Sequence, residues 1–245
     1  MGRISVRPFC IGAFMSYFLV NEALPKDMRA ALARYGECIS LPPFDKLPHP
    51  VNKHPDMLMM QIGETVFVHR EYEAGQRILE RLGVPYHLSE KAVGENYPAD
   101  VALNCFAAGG YLFGKLSAVS DEVKAYAKEQ GLVLQSVSQG YTKCSCAVAG
   151  RAVVTADVGI FRAAKEAGLS VLLVPPRHIG IEMYDAGFLG GASVTLDEKT
   201  LGFFGDLGRH PAGEEIRAFF EEAGINVVCL SGDPLFDYGG AIKID

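Results

Sequence analysis

Amphipathic runs that end in glycine, each followed at once by an apolar run, recur five times along the chain. They cover 27–35 before Gly36, 74–82 before Gly83, 121–130 before Gly131, 161–167 before Gly168 and 214–223 before Gly224. Each predicts a helix, because a glycine just past the last turn takes the left-handed conformation that ends a helix cheaply. The segments that follow, CISL, VPYHL, LVLQSV, LSVLLV and INVVCL, are short and apolar and predict strands.

A strand is also predicted before each helix, at 14–20, 65–69, 111–115, 152–157 and 201–206. Four of these are preceded by another, at 56–62, 101–107, 144–150 and 190–196, across turns such as Ile62-Gly63-Glu64, Ala108-Gly109-Gly110 and Ala149-Gly150-Arg151. Four units therefore read strand, strand, helix, strand. The first unit lacks its leading strand, and the spare one is at the other end of the chain, at 238–245. Pairing of 238–245 with the N-terminal segment would complete a fifth ββαβ unit and close residues 1–245 into one domain, an α/β ring. Closure removes the exposed sheet edges that threaten open repeats. A doubly wound parallel sheet has one strand per helix, so the strand pair before each helix favours the ring. Ser120 and Asp157 are predicted N-caps, and Pro25 and Pro211 mark helix entries. Asp157 and Asp206 end equivalent strands, which predicts a shared capping role.

Composition narrows the function classes. Of the 245 residues, 49% are hydrophobic and 21% charged, which excludes disorder. Lys and Arg number 23 against 29 Asp and Glu, with no basic block, so nucleic acid is not an expected partner. Six scattered cysteines suggest no disulfide framework and point to a reducing, cytoplasmic setting. Arg3, Arg7 and the stretch 9–20 have the outline of a signal peptide, but 21–25 is a poor cleavage site. The stretch is also too short to span a bilayer, so it reads as a buried first strand and no membrane association is expected. The Cys144-Ser145-Cys146 pattern lacks a second ligand pair, so no metal is expected. The pairs Gly190-Gly191 and Gly239-Gly240 follow neither a dinucleotide fingerprint nor a P-loop, so no cofactor is expected.

Candidate chemistry gathers where the leading strands begin. In Thr142-Lys143-Cys144-Ser145-Cys146, strand alternation puts both cysteines on one face and Lys143 and Ser145 on the other. A lysine that meets a cysteine lowers its pKa, which makes Cys144 the candidate nucleophile; core packing of both cysteines is the other reading. His54 and Asp56 precede the second unit's leading strand, with Asp56 either capping a turn or facing a ligand. Asp100 and Asn104 flank the third. Asn104 sits inside the apolar run VALNCFA and therefore needs a partner. His178 lies in the connector to the fifth leading strand, placed for acid–base work or simply in a surface loop. Ser193, Asp237 and Lys243 complete the candidate ligand contacts.

The blocks HPDM (54–57), NYPADVALN (96–104), QGYTKCS (139–145), HIGIEMYDAGFLGGAS (178–193), FFGD with RHP (203–211) and DPLFDYGGAI (233–242) resemble the pentein superfamily, the guanidine-group-modifying-enzyme fold. The resemblance spans essentially the whole chain, and is nearest to a bacterial branch without an assigned activity. It implies five ββαβ units about a pseudo-fivefold axis, an α-β propeller, with a polar axial pocket lined by the leading strands. In the catalytic members a cysteine attacks the guanidinium carbon, a histidine shuttles protons, and carboxylates hold the cation. This chain departs where the nucleophile should be: the run Tyr238-Gly239-Gly240-Ala241-Ile242-Lys243-Ile244-Asp245 has no cysteine or histidine. The resemblance thus implies a small-molecule-binding protein or hydrolase-like enzyme for a guanidino compound, with any deiminase-like thiol chemistry falling to Cys144 and His178. The alternative it implies is a non-catalytic ring for a macromolecular partner, as in the ribosome-binding translation-factor branch.

Overall fold

The structure is a computed structural model that describes residues 16–245. The first unit contains β1 (Tyr17–Asn21), α1 (Lys26–Leu32) and β2 (Glu37–Leu41). The second contains a short turn α2 (Pro55–Leu58), β3 (Met59–Ile62), β4 (Thr65–His69), α3 (Glu73–Leu82) and β5 (Tyr86–Ser89). The third has β6 (Phe106–Ala108), β7 (Tyr111–Gly114), α4 (Asp121–Glu129) and β8 (Val133–Ser136). The fourth has β9 (Cys146–Ala149), β10 (Ala152–Thr155), α5 (Val158–Glu166) and β11 (Ser170–Leu173). The fifth has β12 (Ser193–Asp197), β13 (Thr200–Phe203), α6 (Gly213–Glu222) and β14 (Asn226–Cys229), and β15 (Ala241–Ile244) follows.

Each unit forms one three-stranded sheet. Its central strand is antiparallel to the leading strand and parallel to the strand after the helix. The missing leading strand of the first unit is β15, which pairs antiparallel with β1 in the register Tyr17↔Ile244 to Val20↔Ala241. The pairing of the two chain ends is present, over Ala241–Ile244 rather than the whole of 238–245; residues 12–15 of its N-terminal partner lie outside the described residues. The five sheets stay separate rather than merging into a barrel. Side chains join them: Leu19 of β1, Val68 of β4 and Ile242 of β15 share one apolar cluster.

Four of the five helix stops work as the pattern predicts, with Gly83, Gly131, Gly168 and Gly224 at φ of 70°, 75°, 71° and 76°. Gly36 is different. It lies so close to the Ser16 backbone that a side chain would overlap the Ser16 carbonyl. Asp157 caps α5 by accepting the Ile160 N–H at 2.8 Å, and Asp206 accepts the Gly208 N–H at 2.9 Å, so the two equivalent aspartates do share a capping role. Ser120 stands at the N-cap of α4, but its hydroxyl donates to Glu122 instead.

The leading strands are shorter than the sequence predicts. The first halves of 56–62, 101–107, 144–150 and 190–196 are tight turns rather than strand. In each the chain hydrogen-bonds to itself: Leu58 N to His54 O at 3.1 Å, Asn104 N to Val101 O at 3.1 Å, Ser145 N to Tyr141 O at 3.0 Å, and Ala192 N to Phe188 O at 3.1 Å. These turns are buried, so they are apolar without a period, and a short apolar run cannot be told from a strand by pattern alone.

The closing strand is a stability element. Ile242 and Ile244 are 9% and 5% exposed and belong to the same cluster as Leu19. Ile244→Ala is expected to cost about 2–4 kcal/mol in urea denaturation, as do other buried Ile-to-Ala changes. An unchanged unfolding midpoint would show that β15 does not hold the ring shut.

Candidate functional site

The five turns that precede the leading strands converge, and one residue of each occupies an equivalent place. Met57, Asn104, Cys144, Gly191 and Gly239 each stand two positions before the first residue of β3, β6, β9, β12 and β15. Neighbours around this ring touch. The Asn104 amide nitrogen lies 3.3 Å from the Met57 sulfur on one side and 2.9 Å from the Cys144 Sγ on the other, and 3.1 Å from the Asp56 carbonyl. Its carbonyl oxygen accepts the N–H groups of Lys143 at 2.8 Å and Cys144 at 3.3 Å. The partner that Asn104 required is therefore the turn carrying Cys144. Across the ring the Gly191 N–H donates to the Cys144 carbonyl at 3.1 Å, and Asp56 N–H donates to the Gly239 carbonyl at 3.0 Å. His69, at the end of β4, fixes the second turn through Nε2 at 3.0 Å from the Met57 carbonyl.

The two glycine places are occupied by neighbouring side chains. A Cβ on Gly191 would overlap the Asp237 carboxylate, and one on Gly239 would overlap His54. Asp237 is 1% exposed. Its Oδ2 accepts the Phe188 N–H at 2.8 Å, its Oδ1 accepts the Gly239 N–H at 2.9 Å, and His54 Nδ1 lies 3.6 Å from Oδ1. Burial, and then the charge of Asp56, raise the Asp237 pKa to about 7 against the pull of those two amides. Burial lowers the His54 pKa and favours its neutral ring, so its contact with Asp237 is not an ion pair.

Asp56 is the unusual member. It is 3% exposed, and among the described residues neither carboxylate oxygen accepts from a nitrogen or oxygen donor; the weakly donating Cys144 thiol stands beside it. It borders a cavity of about 460 Å³ that draws on all five leading strands, through Gln61, Ala107, Val148, Thr195 and Ile242. Lys143 and Lys243 line the same cavity, and the Lys243 ammonium is paired with Asp245. A buried carboxylate so weakly partnered is costly, and here it borders an open, five-sided space.

The structure changes several sequence expectations. Cys144 does lie on the axis, but in a turn, so strand alternation does not relate it to Cys146. Cys146 packs in a separate apolar cluster with Phe106, Val153 and Ile160. The Cys144 thiol is 4% exposed, and burial, followed by the charges of Asp56 and Asp237, pushes its pKa well above the ordinary thiol value. This is opposite to the activation expected from Lys143. His178 is not brought to Cys144; it is exposed and lines another cavity beside His210. The axial histidine is His54. Asp100 is buried behind Tyr141, whose hydroxyl donates to Oδ2 at 2.5 Å, and it does not border the axial cavity. Ser193 is also absent from that cavity's lining, its hydroxyl spent on the Gly190 carbonyl at 3.0 Å, and so are His54, Asn104, Cys144 and Asp237; of the predicted site residues Asp56, Lys143 and Lys243 border it. The reasoning from sequence missed Met57 and His69; the signal for Met57 is the register, two residues ahead of its leading strand, whereas Gly191 and Gly239 stand at the axis as the glycine pairs that open these strands suggest.

Five ββαβ units closed around a polar axis define a pentein fold. A solved structure of dimethylarginine dimethylaminohydrolase, a histidine-to-glycine variant in adduct with S-methyl-L-thiocitrulline, matches with a TM-score of 0.52 and 11% identity over 89% of this chain and 92% of that one. At that identity the likeness shows the fold alone. A Pseudomonas aeruginosa DDAH with citrulline matches at TM-score 0.49 and 10% identity, covering 89% and 93% of the two chains. An amidinotransferase from Microseira wollei matches at 0.48 and 12%, covering 89% and 88%. A search of curated protein sequences returns no match. The sequence profile described as "Family of unknown function (DUF6873)" matches residues 19–242, and the chain belongs to that family. Among the described residues no helix is long and apolar enough to cross a membrane.

Asp237 gives a pH signature. An unfolded aspartate has a pKa of about 3.9, so the raised value makes the folded chain bind the extra proton. The stability this contributes is full below about pH 4 and is lost as pH rises through about 7. Buried His54 and His69 act in the opposite sense, the latter with a pKa lowered to about 4. Asp237→Asn isolates the carboxylate: its stability relative to the native chain should rise between pH 5 and pH 8, by at most roughly 1.4 kcal/mol per pH unit. A pH-independent difference in urea titrations would show that Asp237 stays ionised throughout.

Proposed function

We propose that the axial cavity binds a small planar cation of the guanidino class, and that this chain is a small-molecule-binding protein with a hydrolase-like axial centre. The observation that carries this reading is the Asp56 carboxylate, buried at the cavity with neither oxygen accepting from a nitrogen or oxygen donor among the described residues. A guanidinium presents N–H donors in a fixed plane and pairs well with a carboxylate. It would give Asp56 the partners the chain itself does not supply. Its charge would also relieve the repulsion between Asp56 and Asp237 that raises the Asp237 pKa.

The same charge bears on Cys144. In the free protein the thiol is neutral, because a thiolate would be buried beside two carboxylates. A bound cation offsets one of those charges and so lowers the cost of the thiolate. His54, whose neutral ring burial favours, is the axial histidine, and it stands with Cys144 behind the residues that line the cavity. Binding therefore comes first in this reading, and thiol chemistry depends on it. The fold is that of guanidine-modifying enzymes, but Cys144 belongs to the fourth leading segment rather than the C-terminal one.

Thermal-shift titration tests the proposal. Arginine, agmatine and guanidinium should raise the melting temperature in proportion to RT ln(1 + [L]/Kd). Asp56→Asn should weaken binding at least about tenfold, the scale of one lost charge-assisted hydrogen bond. Cys144→Ser should preserve binding and abolish any covalent capture of a guanidino analogue. Stabilisation by anions alone would overturn the cation reading and assign Lys143 and Lys243 as anion holders.

A further inference from the structure

The chain has a second cavity, of about 180 Å³, between the fourth unit and the connector leading into the fifth. It shares no lining residue with the axial cavity. Its polar lining is of both signs. Arg177, His178 and His210 supply donors, and Asp157 supplies an acceptor. Val174, Ile179 and Leu189 provide an apolar wall.

His210 carries the argument. It is 5% exposed, and its Nδ1 accepts the Ala212 N–H at 3.1 Å. Burial, then the neighbouring His178, favour the neutral ring. A neutral ring that accepts at Nδ1 must carry its proton on Nε2. That second donor has no partner among the described residues, although the side chain borders a cavity. That donor opens onto the cavity, where a ligand or water can accept from it. His178 stands against the same ring, edge to face, with centroids 5.5 Å apart. Arg177 adds an exposed guanidinium and holds a left-handed backbone with φ of 72°, uncommon for a residue with a side chain. On the acidic side, Asp157 spends Oδ1 on the Ile160 N–H, while Oδ2 has only a 3.5 Å contact with the Gln139 amide. Asp157 therefore caps α5 and retains acceptor capacity.

We propose that this cavity binds a small zwitterionic amino acid. Its carboxylate faces Arg177, His178 and the His210 Nε2–H, its ammonium faces Asp157, and a small apolar side chain rests on Val174, Ile179 and Leu189. A simple anion would meet the Asp157 carboxylate, and a simple cation would meet Arg177 and the His210 donor. A ligand carrying both charges satisfies both sides. The volume is close to the ~150 Å³ of an engineered cavity that admits benzene, which suits a molecule with a handful of heavy atoms.

Calorimetry on the full chain tests this with valine and alanine against isobutyrate, isobutylamine and N-acetylvaline. The two amino acids should bind saturably, and each analogue lacking one charge should bind at least roughly tenfold more weakly. His210→Asn keeps an acceptor for the Ala212 N–H but removes the Nε2–H, and should weaken valine binding by a similar factor. Arg177→Gly suits the left-handed backbone, so it should fold at least as well as the native chain while also losing affinity. Asp56→Asn should leave valine binding intact, which separates this site from the axial one. The proposal is overturned if neither amino acid saturates at millimolar concentration. It is equally overturned if a single-charge analogue binds as well, or if binding survives His210→Asn and fails with Asp56→Asn.

Discussion

A carboxylate buried where five turns meet sets the terms for the rest of the structure. Asp237 has almost no contact with water, and its charge is offset only by two backbone amides and by Lys143 at longer range. One of those amides belongs to the connector into the fifth unit and the other to the closing segment. The same side chain therefore ties the last inter-unit connection to the ring closure. Room for it depends on Gly187 and Gly191, where a Cβ would overlap it. Once Asp237 is in place, a second ionised carboxylate nearby is costly, and Asp56 is that carboxylate. The centre is thus left with an electrostatic deficit that a cation can fill.

Much of this architecture can be read from the sequence, because the ring repeats its punctuation. Glycine stops, capping aspartates and strand pairs before helices recur at unequal spacings but in a fixed order. The closing role of 238–245 follows from the one missing strand. The starts of the leading strands were misread for a definite reason. Segments such as Val101–Cys105 are buried, so burial removes the polar positions that would have revealed a turn. That error propagated to the site, since alternation along a supposed strand paired Cys144 with Cys146 and set Lys143 apart.

The candidate site was legible in its members and illegible in its geometry. His54, Asp56, Asn104, Cys144 and Asp237 converge, although the chain separates them widely. His178 was singled out for its chemistry, which an exposed connector and an axial turn offer equally; no local pattern distinguishes them. The glycine pairs that hold Gly191 and Gly239 suggest room at the axis, but no local pattern tells what fills it. Their function is to make room for side chains from other units. Repetition at the level of backbone is combined here with four residue types at five equivalent places, Met57, Asn104, Cys144, Gly191 and Gly239. The scaffold is symmetric while its contents are not.

Ribosomal synthesis imposes an order on this assembly. Ser16 and Asp245, joined by a 2.6 Å hydrogen bond, are 229 positions apart in sequence. At about 5–20 residues per second, the edge of β1 waits roughly 10–50 s for the strand that covers it. During that interval four units can complete their own sheets, while the first presents an unpaired edge to solvent or to a chaperone. The segment that covers the edge also carries Asp237. The nascent chain therefore acquires its charged centre in the same event that removes its aggregation hazard, and before that event the axial carboxylate Asp56 has no fellow to repel.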